Sequence, residues 1–418
     1  SPDLSDPEED YKIDKLFYRI FHFCLILGVN FYRDRNIKLR CVSLVIVAVA
    51  CSINVYFIGY VALLCMSQRF EAKRVATSVS VGAESYVMKI IQIFISYWQW
   101  TSQPCKVVKL LYEVNKGIGI HHHRKSLQTI VNTFYVVVGM DAVYDLFSLI
   151  LENEYFIAKQ DNRKENLQIF GHRHLFIIVQ LAILYCIMCW GVALFIFSLL
   201  VHATHYEFVY FNDPVRSLQP RDKHSILEPI CTSDHSVDQT CDFPSEKIKC
   251  DNAYQTDETL CSYLLKLIKI HNGLTECVKS LDKMFNRYAF VMLVTIIPTT
   301  IFSLFMLFVI CYLQPLIVSF FLVFFCIFSF ITLVNAPSQL HNTIHKTKLA
   351  LCANTHIWFP YRPNVYHSAI AFLCHLDQAN LGVSIWGFAI VTKPLVLTTL
   401  SAMVTCLALF VQIGECNA

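Results

Sequence analysis

The sequence predicts an all-α polytopic membrane protein. It has seven transmembrane helices with cytosolic helical extensions, its N-terminus inside and its C-terminus outside. Three observations carry this reading. The 418 residues are 55% hydrophobic and 16% charged, whereas soluble chains carry about a quarter charged residues. Apolar runs of the roughly 20 residues needed to cross hydrocarbon recur along the chain. Lys and Arg fall unevenly on the segments between those runs.

Taken in order, Ser1 to Asp14 is acidic and polar and reads as a disordered cytosolic lead-in within an N-terminal segment 1–40. Apolar runs then occupy about 41–66, 80–101, 128–151 and 175–201, a four-helix bundle spanning 41–201. Runs 288–313 and 316–334 form the pair 288–334, with Gln314-Pro315 predicted to turn between them. A cytosolic helical segment 335–393 precedes the last run, 394–413, and a short outer tail to residue 418. No strand-like alternation of any length interrupts this pattern.

Segments 1–40, 102–127 and 335–393 hold sixteen Lys and Arg, against seven in 67–79 and 152–174. The basic side is the cytosolic one. A G-protein-coupled receptor has the opposite orientation, and its Asp-Arg-Tyr and Asn-Pro-x-x-Tyr motifs are missing here. A net charge of +3 gives no reason to expect nucleic acid.

The segment 202–287 divides in two. Asp213 to Thr259 is rich in Pro, Ser, Asp and Cys and reads as a loop. Cys231, Cys241 and Cys250 in this loop and Cys261 and Cys277 after it, all within 202–287, form no Cys-x-x-Cys pair, so neither disulfide nor zinc is expected. Beyond it, Leu264, Leu267, Ile268, Leu274, Val278, Leu281 and Phe285 recur at helical spacing, with Lys266, Lys269, Lys279 and Lys283 between them. One long helix is expected to run through Gly273 into the fifth span, with an apolar stripe that seeks a partner or caps its own subunit.

Ionisable groups at membrane depth usually face the bundle interior. Lys89 and Asp141 fall at equal depth in the second and third spans and can pair. Asp145 lies one turn nearer the outside than Asp141, and Glu84 is likewise higher on its span. These residues line an outward-facing cavity for a hydroxyl- or amine-bearing ligand, or they lock two helices together. Gln180, Thr299, Thr300 and Ser303 are further polar candidates, and Phe320, Phe321 and Phe324 candidate apolar walls. Histidine pairs at His202/His205, His341/His345 and His172/His174 have spacings seen in di-iron membrane enzymes. The topology separates them, so no enzyme, metal or cofactor is expected.

In the last span, Thr398, Ser401, Thr405, Ala408 and Gln412 share roughly a quarter of the helix circumference. Such a stripe serves close helix packing or replaces water around a passing ion. A pore reading needs several identical chains around one axis.

Thr405-Cys406-Leu407-Ala408-Leu409-Phe410-Val411-Gln412-Ile413 resembles the Thr-Tyr-(five apolar)-Gln-Phe motif that ends the seventh span of insect gustatory receptors. Cys406 stands for Tyr and Ile413 for Phe. Asp377 to Gly382, leading on to Phe388, Leu395 and Ser401, and the stretch "NGLTECVKSLDKMFNRYAF", are similar to that family too. The resemblance implies a ligand-gated, non-selective cation channel in the plasma membrane of sensory neurons. It would be a homotetramer whose seventh spans line the pore and whose cytosolic helices hold the subunits together. Monovalent and divalent cations would pass, and a small-molecule tastant would bind within each subunit's bundle. By carry-over, Gln412 lines the outer pore and Ile413 sits at the apolar constriction. Leu407, where the main sugar-receptor branch has Glu, leaves a fructose-type sugar or a bitter plant compound as ligand. The alternative is a monomeric seven-span receptor or transporter that uses the stripe for packing.

Overall fold

Long apolar runs with few breakers dictate long helices, because every backbone polar group in hydrocarbon must be satisfied within its own segment. The computed structural model describes residues 15–26, 29, 31, scattered positions in 41–56, 90–160, 173–216, 257–309, 313–377 and 381–416. In chain order these give α1 (Lys15–Ile26), a helical stretch over 90–101, α2 (Gln103–Asn115), α3 (Ile118–His122), α4 (Arg124–Gln160) and α5 (Arg173–Arg216). There follow α6 (Asp257–Val309), α7 (Leu313–Ala353), α8 (Thr355–Trp358), α9 (Pro363–Leu376), a hairpin of β1 (Ser384–Ile385) and β2 (Ala389–Ile390), and α10 (Lys393–Cys416). Three described helical segments, Leu184–Arg216, Asp257–Phe305 and Val323–Ala353, are long and apolar enough to cross a membrane, and Lys393–Leu409 is a shorter apolar one. The expected first span lies largely outside the described residues.

The chain divides into two units. The first comprises Ser1–Tyr210, Asn272–His345 and Asn380–Ala418; the second comprises Phe211–His271 and Lys346–Ala379. In the first unit α5 is the central helix, and every residue from Cys189 to Val201 is buried. Its ring Phe197 meets Phe285 of α6 edge-on at 4.9 Å, and Trp98 meets Phe285 and Tyr288 at 5.2 and 5.3 Å. Trp190 packs against Phe325 of α7 at 5.0 Å, and Phe134 of α4 against Phe195 at 5.1 Å. Burying one such ring stabilises by about 1.5–3 kcal/mol.

The part of α5 that follows its apolar run holds a buried carboxylate. Glu207 accepts the Ile120 N–H at 2.9 Å and the Asn115 carboxamide at 3.0 Å, so it supplies acceptors to the turn that starts α3. Burial pushes its carboxyl above the usual range, and these donors partly oppose that shift. Gly119 permits the contact, because a Cβ there would lie 2.6 Å from the Tyr206 carbonyl. Gly273 does the same on α6, where a Cβ would meet Val114 at 2.6 Å. The glycine inside the amphipathic repeat therefore marks a close helix crossing, and α6 runs through it unbroken.

In the second unit, His271 is buried against Phe211, Phe372 and His375 at ring distances of 5.8, 5.9 and 5.2 Å. Burial, with the His375 charge as a lesser cause, lowers its pKa from 6.5 to about 4. Arg362 bridges to Asp257 at 3.2 Å, Lys348 pairs with Asp377, and Thr347 donates to Asn212.

One expectation is corrected, and one small element is added. Gln314-Pro315 is not the turn between the fifth and sixth spans: Pro315 lies in the first turn of α7, where its missing N–H leaves nothing unsatisfied. The approach to the last span holds a short antiparallel hairpin, with Ser384 opposite Ile390 and Ile385 opposite Ala389, in an otherwise helical fold.

Candidate functional site

The last helix is the most unusual element. None of the described side chains of α10 is buried in the chain. Leu395, Val396, Thr399, Met403, Leu407 and Val411 are half-buried, and their spacing of three or four residues marks the one face that touches the rest of the subunit. At its start this face meets Phe290, Leu293, Val294, Ile297 and Val334 across a groove. Thr398, Ser401, Thr405 and Gln412 are all exposed. The predicted stripe therefore faces away from its own subunit. The side chain of Ile413 lies outside those described.

Three hydroxyls along α10 bond backward. Thr398 and Thr399 donate to the Leu395 carbonyl at 2.9 and 2.8 Å, and Thr405 donates to the Ser401 carbonyl at 2.9 Å. A hydroxyl that spends its proton on the preceding turn presents oxygen lone pairs outward. A face built this way offers acceptors, which suit a cation.

The hairpin fixes where α10 begins. The Asp282 carboxylate of α6 accepts both the Ser384 N–H at 2.6 Å and the Ser384 hydroxyl at 2.7 Å. Trp386 donates its N–H to the Asn286 carbonyl at 3.1 Å and sets its ring edge-on to Phe290 at 4.7 Å. Sequence reasoning missed this clamp. Its only signal is a Gly387 between two aromatic residues.

The predicted pocket residues fare unevenly. Glu84 and Lys89 lie outside the described residues. Asp141 and Asp145 are one turn apart on α4, and Gln180 is on α5, with their side chains outside those described. Thr299 is half-buried on α6. Thr300 is buried and donates to the Ile296 carbonyl at 2.6 Å. Ser303 is buried, and its hydroxyl has no partner among the described residues. Helices α4 and α5 run antiparallel, with Phe134 at Phe195 and Val138 at Gly191. The same register carried on sets Asp145 level with Leu184 and Gln180 about one turn beyond. Helices α5 and α6 cross with Phe197 at Phe285 and Tyr288. That register brings Thr299 and Ser303 to the levels of Leu184 and Gln180, to within about a turn.

Phe320 and Phe324 do not wall this region. They are 58% and 44% exposed, because α7 turns that face outward while Phe325 and Cys326 point to the core. Phe321 lies outside the described side chains. The structure adds one polar group that the sequence reading passed over: Gln92 is fully buried and donates to the Cys186 thiol at 2.8 Å. A carboxamide inside an apolar run was the available signal.

Comparison with known proteins agrees with this architecture. The profile of the 7tm chemosensory receptor family matches residues 17–415. No curated protein sequence matches the chain. Among solved structures, the insect olfactory receptor OR5 from Machilis hrabei in complex with eugenol superposes with a TM-score of 0.68 at 11% identity, covering 96% of this chain and 99% of that one. A second structure of the same receptor gives 0.66 at the same identity and coverage. With its profile matched almost end to end and its helices laid out as in an olfactory receptor, the chain belongs to the 7tm chemosensory receptor family.

Proposed function

We propose that this chain is a gustatory-type receptor acting as a tastant-gated, non-selective cation channel. It works as a homotetramer in the plasma membrane of sensory neurons, with the N-terminus in the cytosol. One observation carries the reading: an apolar helix of 24 residues buries none of its described side chains in its own subunit while turning a stripe of hydroxyls and an amide outward. In hydrocarbon that stripe is out of place unless it meets water or another helix. Four copies around an axis give it an aqueous lumen. The backward hydroxyl bonds then line that lumen with oxygen acceptors, which favour cations over anions. The Ile413 ring is the apolar constriction, closed by dewetting in the absence of ligand.

Asp141, Asp145, Glu84, Lys89, Gln180, Thr299 and Ser303 form the ligand pocket in this reading. Support comes from the shared level of Asp145, Gln180, Thr299 and Ser303 and from the buried Ser303 hydroxyl. Carboxylates there accept bonds from a fructose-type sugar or pair with the amine of a bitter plant compound. The competing monomeric receptor or transporter would use the stripe for packing inside one subunit, and the outward stripe argues against it.

Expressing the chain alone and recording tastant-evoked current tests the proposal. A cation current is expected, with selectivity altered by Thr405→Val and Gln412→Ala. Unchanged selectivity in both variants, or a solubilised particle holding one copy and not four, overturns it.

A further inference from the structure

The hairpin before α10 ends in an exposed aromatic tip: Trp386 is 51% and Phe388 83% exposed. Trp386 has φ 51° and Gly387 φ 76°, so both central residues of the turn lie in the left-handed region. Asn, Asp or Gly adopt that conformation with little strain, and a bulky side chain does not. A tryptophan kept there points to a use for its ring.

The depth of the tip is set by two helices independently. From Tyr288 to Val309, α6 carries no charged residue, and neither does α10 from Pro394 to Ile413. Arg287 and Lys393 are the last charges before each apolar stretch. The bond from Trp386 to Asn286 and the ring contact with Phe290 hold the tip within one helical turn of that boundary. Tryptophan is enriched at this level of a bilayer, where one edge of the ring is wet and the other dry. Lys283 and Arg287, one turn apart on α6, and Lys393 are exposed at the same end and form no ion pair among the described residues. Asp282, next to Lys283 in the chain, accepts both Ser384 bonds through one oxygen, Oδ1.

We infer that the hairpin tip is an interfacial seat for anionic phospholipid. Trp386 and Phe388 lie among the headgroups and upper acyl chains, and Lys283, Arg287 and Lys393 hold the headgroup anions. Such a seat ties the start of α10 to the membrane surface and makes lipid charge a variable acting on the last helix.

The test uses the full chain in nanodiscs of phosphatidylcholine alone or mixed with phosphatidylserine, each lipid in turn brominated near the headgroup. Subtracting the emission of Trp386→Phe from that of the unsubstituted chain isolates Trp386. Its emission should be quenched by both lipids and more strongly by brominated phosphatidylserine. Lys283→Gln with Arg287→Gln and Lys393→Gln should abolish that excess, at roughly fivefold in local lipid enrichment per charge. Absence of quenching by either lipid overturns the inference, as does equal quenching by both. A Phe388→Cys variant that cross-links to a second copy overturns it too, by assigning the tip to a subunit contact. The readout is lipid contact and not current, so its failure is separable from failure of the channel reading.

Discussion

Helices α5 and α10 are similarly oily in sequence and opposite in surroundings. From Cys189 to Val201 every residue of α5 is buried on all sides by its own subunit, whereas α10 has a half-buried face and no buried side chain among those described. Hydrophobicity places both in a membrane and says nothing about which neighbour covers them. The placement of polar groups separates them. In α5 the single hydroxyl of that stretch, Ser198, is enclosed with the rest. In α10 the hydroxyls of Thr398, Ser401 and Thr405 are gathered on a face that the subunit leaves open, and only Thr399 among the described ones turns to the half-buried face. The first helix builds a subunit; the second is finished only by something outside it.

The sharpest way to break this contrast is a matched pair of truncations. Phe197→Ala removes a ring packed against Phe285 and Tyr288 and should destabilise the solubilised protein by about 3–5 kcal/mol through the cavity it leaves. Val404→Ala, at a position 67% exposed on α10, should stay within about 0.5 kcal/mol. Thermal unfolding followed by the loss of monodisperse protein reads both. A large effect of Val404→Ala on a particle of one copy would show that α10 is packed within the subunit.

Next in size comes the clamp between α6 and the start of α10. Asp282→Ala leaves the Ser384 N–H and hydroxyl without their acceptor, at about 1.5–3 kcal/mol for bonds to a charged group. Because α10 has so few contacts of its own, this loss should appear in the behaviour of that helix more than in overall folding. In the proposed channel, the tastant concentration giving half-maximal current should shift by several-fold while ion selectivity stays the same. An unshifted response would make the clamp a local cap.

Much of this was legible in the sequence, and the gaps have physical causes. The amphipathic repeat from Leu264 to Phe285 runs on into the fifth apolar run, so α6 could be read as one helix. The stripe on α10 follows directly from 100° per residue. Periodicity separates faces but does not name the partner of each, so Phe320 and Phe324, which suit a pocket wall or a lipid-facing surface equally, are found exposed only in the structure. Gln314-Pro315 misled because the same dipeptide suits a turn and the first turn of a helix. The hairpin of two-residue strands is too short for any alternation to register. Of the pocket, the levels of Asp145, Gln180, Thr299 and Ser303 follow from helix register. Glu84 and Lys89 fall outside the described residues.

The smallest expected effect carries the contrast of burial into the second unit, where it separates two histidines. His367 is exposed, while His271 is enclosed by Phe211, Phe372 and His375, which lowers its pKa from 6.5 to about 4. A histidine held neutral by burial costs nothing while the unfolded chain is also neutral, above about pH 6.5. Below that value the unfolded state binds a proton that the folded state refuses. Stability should therefore fall as pH drops from about 6.5 to about 4 and level off once the folded form is protonated too. The melting temperature of the solubilised protein measured across this window checks the sign. His271→Gln should flatten the decline and leave the value at neutral pH little changed, whereas His367→Gln should leave the decline intact. If the two substitutions act alike, burial of His271 is not what the pH dependence reads, and the division between enclosed and open surfaces does not extend beyond the apolar helices.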